Sequence, residues 1–574
     1  MNAVEIAQVF EEIARLLAFK GENPFKVRAY RNAAHTLRSL DEDLGTVIAE
    51  GRLRRLPGIG AALAIKIEEL ARAGTTPLWE RLRDEIPSGV VDMAAIPGLG
   101  PQRARVVHLT LGIASLEELA AAAESGSLAE VPGIGPKTVK SILSGVDRAR
   151  SYGERYMGFV ANAAAEILLA RLTTHPAVER AAIAGSLRRR CEVVGDVDLV
   201  AASRRPAAVL DAFVAWPTVA QVIERGETHA RARLSAGLPA DLYVVRPPEW
   251  PFTLLRATGS EAHWERLRTL AERKKLDLTE RGLVPRGQRR SLECDDEAAV
   301  YTRLGLACVP PEMREDRGEL AMAAANALPT LIELADLRGV IHVHSDWSDG
   351  RASIETLAEA ASERGLEYLV LCDHSRSAGY AGGLSIDDLT RQRAEIAAVN
   401  ARGGGCRVLA GNEVDILADG SLDYPDENLA ELECVIASIH GRFKLGREEQ
   451  TERIVRAIEN PWVDVIGHLT GRLLLRRDGY PLDMERVLDA AAEHGVAIEI
   501  NCDPRRMELD WRWHAPALER GIKLTIAPDA HGPETLDYMA EGVAIARKGG
   551  VTAADVLNTL PHDAFRAALR RNRA

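Results

Sequence analysis

The run GVIHVHSDWSDG, residues 339–350, sets His342 and His344 two apart in a short apolar stretch, with Asp349 just beyond. A β-strand alternates its faces with a period of two, so both imidazoles are expected on one side. Each buried imidazole brings nitrogens that need partners, and a shared metal ion meets that need for both. Further strand-like runs alternate with amphipathic helical segments: EYLVLCDHS, RVLAGNEVDIL, CVIASIH, VDVIGH, VAIEINC and KLTIAPDAH. This alternation predicts a parallel barrel or a doubly wound sheet. Six of the seven runs finish with metal-type residues: His342 and His344, His374, Glu413, His440, His468, and Asp529 with His531. Barrel sites gather at that end of the strands. With Asp349 they make nine candidate ligands, too many for one tetrahedral zinc and suited to zinc, manganese or iron in a polynuclear centre. About two or three ions a few ångströms apart can bind a phosphate ester and activate water.

A second constellation lies upstream in AGSLRRRCEVVGDVDLV, 184–200. Asp196 and Asp198 alternate on a strand, so both carboxylates face one side and can share magnesium or manganese ions. Asp241, in PADLYVV, is the candidate third acid. Two-metal phosphoryl transfer needs this set: one ion lowers the pKa of an attacking hydroxyl and the other neutralises a triphosphate. Gly185 and Ser186 let backbone approach phosphates, and Arg189 supplies charge. An acid-x-acid pair alone can simply face solvent; the preceding strand and Gly-Ser make this run more specific.

One short pattern recurs before it: LPGIG at 56–60, IPGLG at 96–100 and VPGIG at 131–135, each followed by a helical segment. Such turns point successive backbone N–H groups outward, where they hold a phosphate oxygen without reading bases. One such pentapeptide alone can be an ordinary helix-turn signal, but the three together resemble helix-hairpin-helix DNA-binding elements, and that resemblance makes Gly58, Gly60, Gly98, Gly100, Gly133 and Gly135 the candidate DNA-binding positions. From about 181 the periodicity becomes mixed, with AAIAGS, DVDLVAAS and ADLYVV as strands, then Arg- and Glu-rich helices and loops to about 318. The Ala-rich stretch 318–339 reads as a helical or linker-like bridge.

At 574 residues the chain needs two to four domains. The net charge of −12 divides unevenly: residues 1–300 hold 41 Lys and Arg against 39 Asp and Glu, leaving 31 against 45 for the rest. The near-neutral half can present basic faces while the acidic half holds cations. Seven cysteines without a CxxC pair argue against a disulfide framework or a zinc finger. No apolar run is long enough to span a membrane, and the acidic amphipathic N-terminus is unlike a targeting peptide, so a cytoplasmic protein without membrane contacts is expected.

HVHSDWSDG, CDHS, GNEVDI, ASIHGRF, VIGHLTGRLL, EINCDP and PDAHG together resemble the PHP (polymerase and histidinol phosphatase) domain. The resemblance implies a distorted (β/α)₇ barrel over 337–574 that hydrolyses phosphoesters. It also implies three ions, zinc or manganese, at the nine positions named. Arg472, in GHLTGRLL, is a candidate phosphate ligand, with a surface ion pair as the alternative. The 184–200 run resembles the nucleotidyltransferase palm of family X DNA polymerases. The resemblance to that family continues outside this run, in NPFKVRAYRNAA near the start, TGSEAH at 258–263 and GLACVPPEMRED at 305–316. The resemblance places Gly259 and Ser260 at the nucleotide and Lys66 at a Schiff-base lysine; a plain surface lysine is the alternative. Departures stand at Arg256 and Ala257, where the family has Tyr-Phe, at Trp264 for an Asn, and at Arg190 for a Gly. They bear on sugar and base selection.

The expected arrangement is a lyase-like helical domain (1–80), a helix-hairpin-helix domain (81–150), a palm (151–260), a thumb (261–317), a linker (318–336) and the barrel. The expected function is gap-filling DNA synthesis from dNTPs on gapped or primer-template DNA. It is joined to a metal-dependent 3′–5′ exonuclease, and the resemblance also implies cleavage at abasic sites. Two alternatives stand beside it: a nuclease whose polymerase half only holds DNA, and a small-molecule phosphatase of the histidinol phosphate type.

Overall fold

The computed structural model describes residues 1–574 other than 2, 39, 41–43, 97–98, 154, 236, 404 and 571–574. It resolves into two compact units, Met1–Glu154 and Arg155–Ala574. Among the described residues no single helix is long and apolar enough to cross a membrane.

The first unit is helical. Helices Ala3–Lys20 and Pro24–Arg38 close on a core containing Phe10, Ile13, Leu17 and Tyr30. The three glycine-rich repeats share one backbone hydrogen bond across their ends. Ile59 N–H donates to Leu56 O (3.2 Å), Leu99 N–H to Ile96 O (3.1 Å) and Ile134 N–H to Val131 O (3.1 Å). Gly58 and Gly133 stand at φ +72° and +82°, which a side chain would resist. The turns lead into helices Ala61–Ala73, Gly100–Leu111 and Pro136–Tyr152. Gly98 lies outside the described residues.

The second unit begins with a five-stranded sheet: β1 (Arg180–Ile183), β2 (Val197–Ala202), β3 (Val219–Arg225), β4 (His229–Leu234) and β5 (Pro239–Val245). Its order is β1-β2-β5-β4-β3, with β2 and β5 parallel and Asp198 beside Asp241 in register. Leu199, Ala201 and Leu242 pack with helices Gly158–Thr174 and Pro206–Val214, whereas Val200 and Ala202 pack with Trp250 and Leu254. A small helical subdomain follows around Trp264, Leu267 and Tyr301, and it also buries Leu320 and Leu331 of the bridging stretch.

Seven parallel strands then form the barrel in sequence order: β6 (Gly339–Val343), β7 (Tyr368–Leu371), β8 (Arg407–Asp415), β9 (Cys434–Ser438), β10 (Val465–Ile466), β11 (Ala497–Asn501) and β12 (Leu524–Ala527). It closes almost completely: Ala530, just past β12, accepts from His344 N–H (2.7 Å) and donates to His342 O (3.0 Å). Ile341, Val370, Leu409 and Ile436 fill the interior with Phe565 from the last helix, and an outer shell packs on the opposite face. Strict alternation does not by itself deliver the two histidines. Ile341 faces the interior while Val340 and Val343 belong to the outer shell. An unbroken strand would therefore turn His342 and His344 outward with Val340. A register shift between Val340 and Val343, with His342 at φ +62°, brings both imidazoles inward.

Candidate metal centres

The nine side chains named from the barrel sequence meet at the C-terminal ends of its strands. Glu413 is the hub. Its carboxylate stands 3.3 Å from His342 Nε2, 2.9 Å from His374 Nδ1, 3.2 Å from His440 Nε2 and 2.8 Å from His468 Nε2. Asp349 lies 3.5 Å from His374 and 3.3 Å from His531, and Asp529 lies 3.3 Å from His344 Nε2. Four groups with ligand atoms within 4.8 Å of one another result: His344, Asp349, His374 and His531; His342, Glu413 and His468; His342, His344 and Asp529; and His374, Glu413 and His440. His342 and Asp529 hold non-glycine residues at φ +62° and +52°, so the backbone is bent where the ligands are aimed.

Among the described residues His342 Nε2 and both ring nitrogens of His344 are buried without a hydrogen-bond partner. Buried polar atoms normally have one, and a cation bound through the lone pairs of these ring nitrogens would supply it. Burial pushes His344 down to about 3, keeping it neutral and able to ligate. Burial opposes protonation of His374 and His440 too. There the Glu413 charge prevails and lifts them to about 10 and about 9. Burial likewise raises Glu413, but the imidazoles hold it well below the usual carboxylate range. Protons thus sit where metal would replace them.

Further groups orient these ligands. Glu499 meets His342 Nδ1 at 2.5 Å, and Asp415 meets His440 Nδ1 at 2.9 Å. Asn501 donates to Asp529 at 3.2 Å, and Arg506 Nε approaches the same carboxylate at 3.4 Å. None was named from the sequence. Asp415 had a signal, since it stands two residues after Glu413 on β8 and shares its face. Arg472 is held elsewhere. Its Nε donates to Arg506 O (2.8 Å), and its other nitrogens meet Asp510 (3.1 Å) and Glu192 of the sheet domain (3.3 Å). Arg506, rather than Arg472, is the guanidinium beside the cluster.

In the sheet domain Asp196, Asp198 and Asp241 also converge. Burial, then the charges of Asp196 and Asp241, push Asp198 up to about 7, and Asp196 is raised by burial and Asp241. This mutual repulsion is what a divalent cation relieves. Asp241 Oδ2 is buried without a hydrogen-bond partner among the described residues. Arg231 lies 3.8 Å from Asp196 and 3.7 Å from Asp241, while His229 Nε2 meets Asp241 at 2.8 Å. Gly185 is required here: at φ +62°, a Cβ on it would stand 1.9 Å from Asp198 Oδ2. Ser186 follows in the short helix Gly185–Arg188.

Arg189 points toward the helical subdomain, with Nε donating to Glu315 (2.9 Å) and Nη1 to Thr258 O (2.9 Å). Gly259 ends helix Trp250–Thr258, and the Ser260 hydroxyl accepts from His263 N–H to cap the next helix. Trp264 is buried in the subdomain core with the Arg256 guanidinium over its ring at 5.7 Å. The two departures thus contact each other. Lys66 is half-buried on helix Ala61–Ala73.

Residues 1–76 match the helix-hairpin-helix domain and 90–148 the SAM-like helix-hairpin-helix tandem. Residues 253–315 match the DNA polymerase beta thumb and 341–503 the PHP domain. Fold and site together define a polymerase-type chain with a PHP barrel. The DNA polymerase/3′-5′ exonuclease PolX of Bacillus subtilis (strain 168) is 35% identical over 577 residues, covering 100% of both chains. The chain belongs to the PolX family. The chain is also similar over part of its length to a probable phosphatase of Thermoanaerobacter sp. (strain X514), 31% identical over 239 residues, covering 38% of this chain and 90% of the relative. A probable phosphatase of Caldanaerobacter subterraneus is 30% identical over 242 residues, covering 39% of this chain and 88% of the relative.

Proposed function

We propose that the chain is a DNA polymerase that extends primers in short gaps from dNTPs and that its barrel shortens the same strands from the 3′ end. The observation that carries this reading is the coexistence of two cation-seeking clusters, three palm carboxylates and nine barrel ligands, in a full-length PolX relative. Magnesium or manganese at Asp196, Asp198 and Asp241, and zinc or manganese at the barrel cluster, supply charge neutralisation and a nucleophile near neutral pH. The chain's own residues do the rest. Gly185 admits Asp198 to the palm site, Glu499 and Asp415 fix the rings of His342 and His440, and Arg506 offers a guanidinium fork to a phosphate. The hairpin N–H groups hold the DNA backbone. Lys66 as a lyase nucleophile and cleavage at abasic sites are extensions of this reading.

A second reading, a nuclease whose polymerase half only holds DNA, is favoured by Arg189. Its guanidinium is taken by Glu315 rather than free for a triphosphate. A gapped DNA with a labelled primer separates the two, with manganese present and dNTPs present or absent. Asp196→Ala/Asp198→Ala should abolish extension alone and His342→Ala/His344→Ala degradation alone. A wild type that shortens but never extends the primer supports the second reading.

A further inference from the structure

Tyr380 is 73% exposed, yet it stands on a turn that is firmly built. Its neighbours Ala378 and Ala381 are buried, Ala381 N–H donates to Ala378 O (2.8 Å), and Gly383 N–H donates to the same carbonyl (3.1 Å). Ser377 N–H is held by Asp423 at 2.6 Å, and Leu384 N–H returns to His374 O at 2.9 Å. The turn therefore fixes where the backbone of Tyr380 stands. One side of the ring meets the ligand cluster, its centroid 6.2 Å from that of His374 and 6.4 Å from that of His440. Those two histidines belong to a single ligand group with Glu413.

A lone exposed tyrosine needs no explanation in general. One carried on a hydrogen-bonded turn, with its ring beside His374 and His440 of the ligand cluster, is different, because a nucleobase lies one sugar ring away from its own phosphate. We propose that Tyr380 is a specificity-determining residue of the barrel reaction, stacking on the base of the 3′-terminal nucleotide while its phosphodiester lies at the cluster. The inference rests on the exonuclease reading of the barrel. Stacking on an aromatic side chain is tolerant of base identity, which suits an enzyme that removes any nucleotide.

The test compares wild type, Tyr380→Ala and Tyr380→Phe on single strands that end in a normal nucleotide or an abasic one. Tyr380→Ala should lower kcat/KM on normal ends on the order of tenfold and leave abasic ends unchanged. Tyr380→Phe should restore the loss. With metal removed by chelation, a strand carrying 2-aminopurine at its 3′ terminus should be quenched by wild type and by Tyr380→Phe but not by Tyr380→Ala. Equal losses on both ends, or equal quenching by all three proteins, overturn the stacking role while leaving the exonuclease reading intact. A wild type that shortens neither strand overturns that reading and this inference with it.

Discussion

Lys548, at the end of the barrel helix Met539–Lys548, donates its ammonium to the backbone carbonyl of Arg189 in the sheet domain at 3.0 Å. It also pairs with Glu315, whose carboxylate lies 2.9 Å from the Arg189 guanidinium. The ammonium is buried, so barrel, thumb and palm share one desolvated charge cluster.

Lys548→Met leaves the Glu315 carboxylate with one cation instead of two. Breaking a buried pair this way should cost about 3 kcal/mol, read from urea unfolding of the full chain. Glu315→Gln in the Lys548→Met background should cost less than in wild type, and strictly additive losses would contradict the cluster.

Acid should weaken the same contact. Burial raises the Glu315 carboxyl, but Lys548 and Arg189 more than offset it, so its folded pKa lies below the ordinary 4.5. A depressed folded pKa contributes stability that is complete above the unfolded value and lost as pH falls through the folded one. The urea midpoint of wild type should therefore fall on acidification below 4.5 more steeply than that of Glu315→Gln. Parallel curves would show that Glu315 contributes nothing.

Gly185→Ala forces a Cβ toward Asp198 Oδ2 at a φ of +62°. Either the carboxylate or the backbone must move, and misplacement of about 1 Å costs roughly a hundredfold in rate. Primer extension should fall by about that factor while degradation stays at the wild-type rate. Unchanged extension would mean that Asp198 is not held where the palm needs it.

Glu499→Gln weakens the carboxylate that orients His342 through its Nδ1. Loss of such a partner lowers metal affinity roughly 10–100-fold. Competition with a chelator should strip metal from this variant at correspondingly lower chelator concentration, with little change in the thermal unfolding of the stripped proteins.

The barrel was legible because strand-ending ligands recur through successive β–α units, a pattern that local sequence carries directly. The bulge at His342 was not, since it follows from closure of β6 onto Ala530. Strands β3 and β4 escaped notice for a different reason. β3 is largely exposed and β4 alternates alanine with arginine, so neither shows a hydrophobic run. Arg472 and Arg506 look equivalent in sequence; only the approach of Glu192 and Asp529 tells the structural arginine from the one at the cluster. Trp264 reads as a lost nucleotide contact until packing places it in the thumb core.

The most direct test of the barrel as a polynuclear hydrolytic centre is a count of zinc, manganese and iron per chain after purification and desalting, for wild type and His342→Ala/His344→Ala. The account predicts roughly two or three ions in wild type and a loss of at least one in the variant. No more than a single ion in wild type, even after incubation with manganese and zinc, or equal counts in the two proteins, would contradict it.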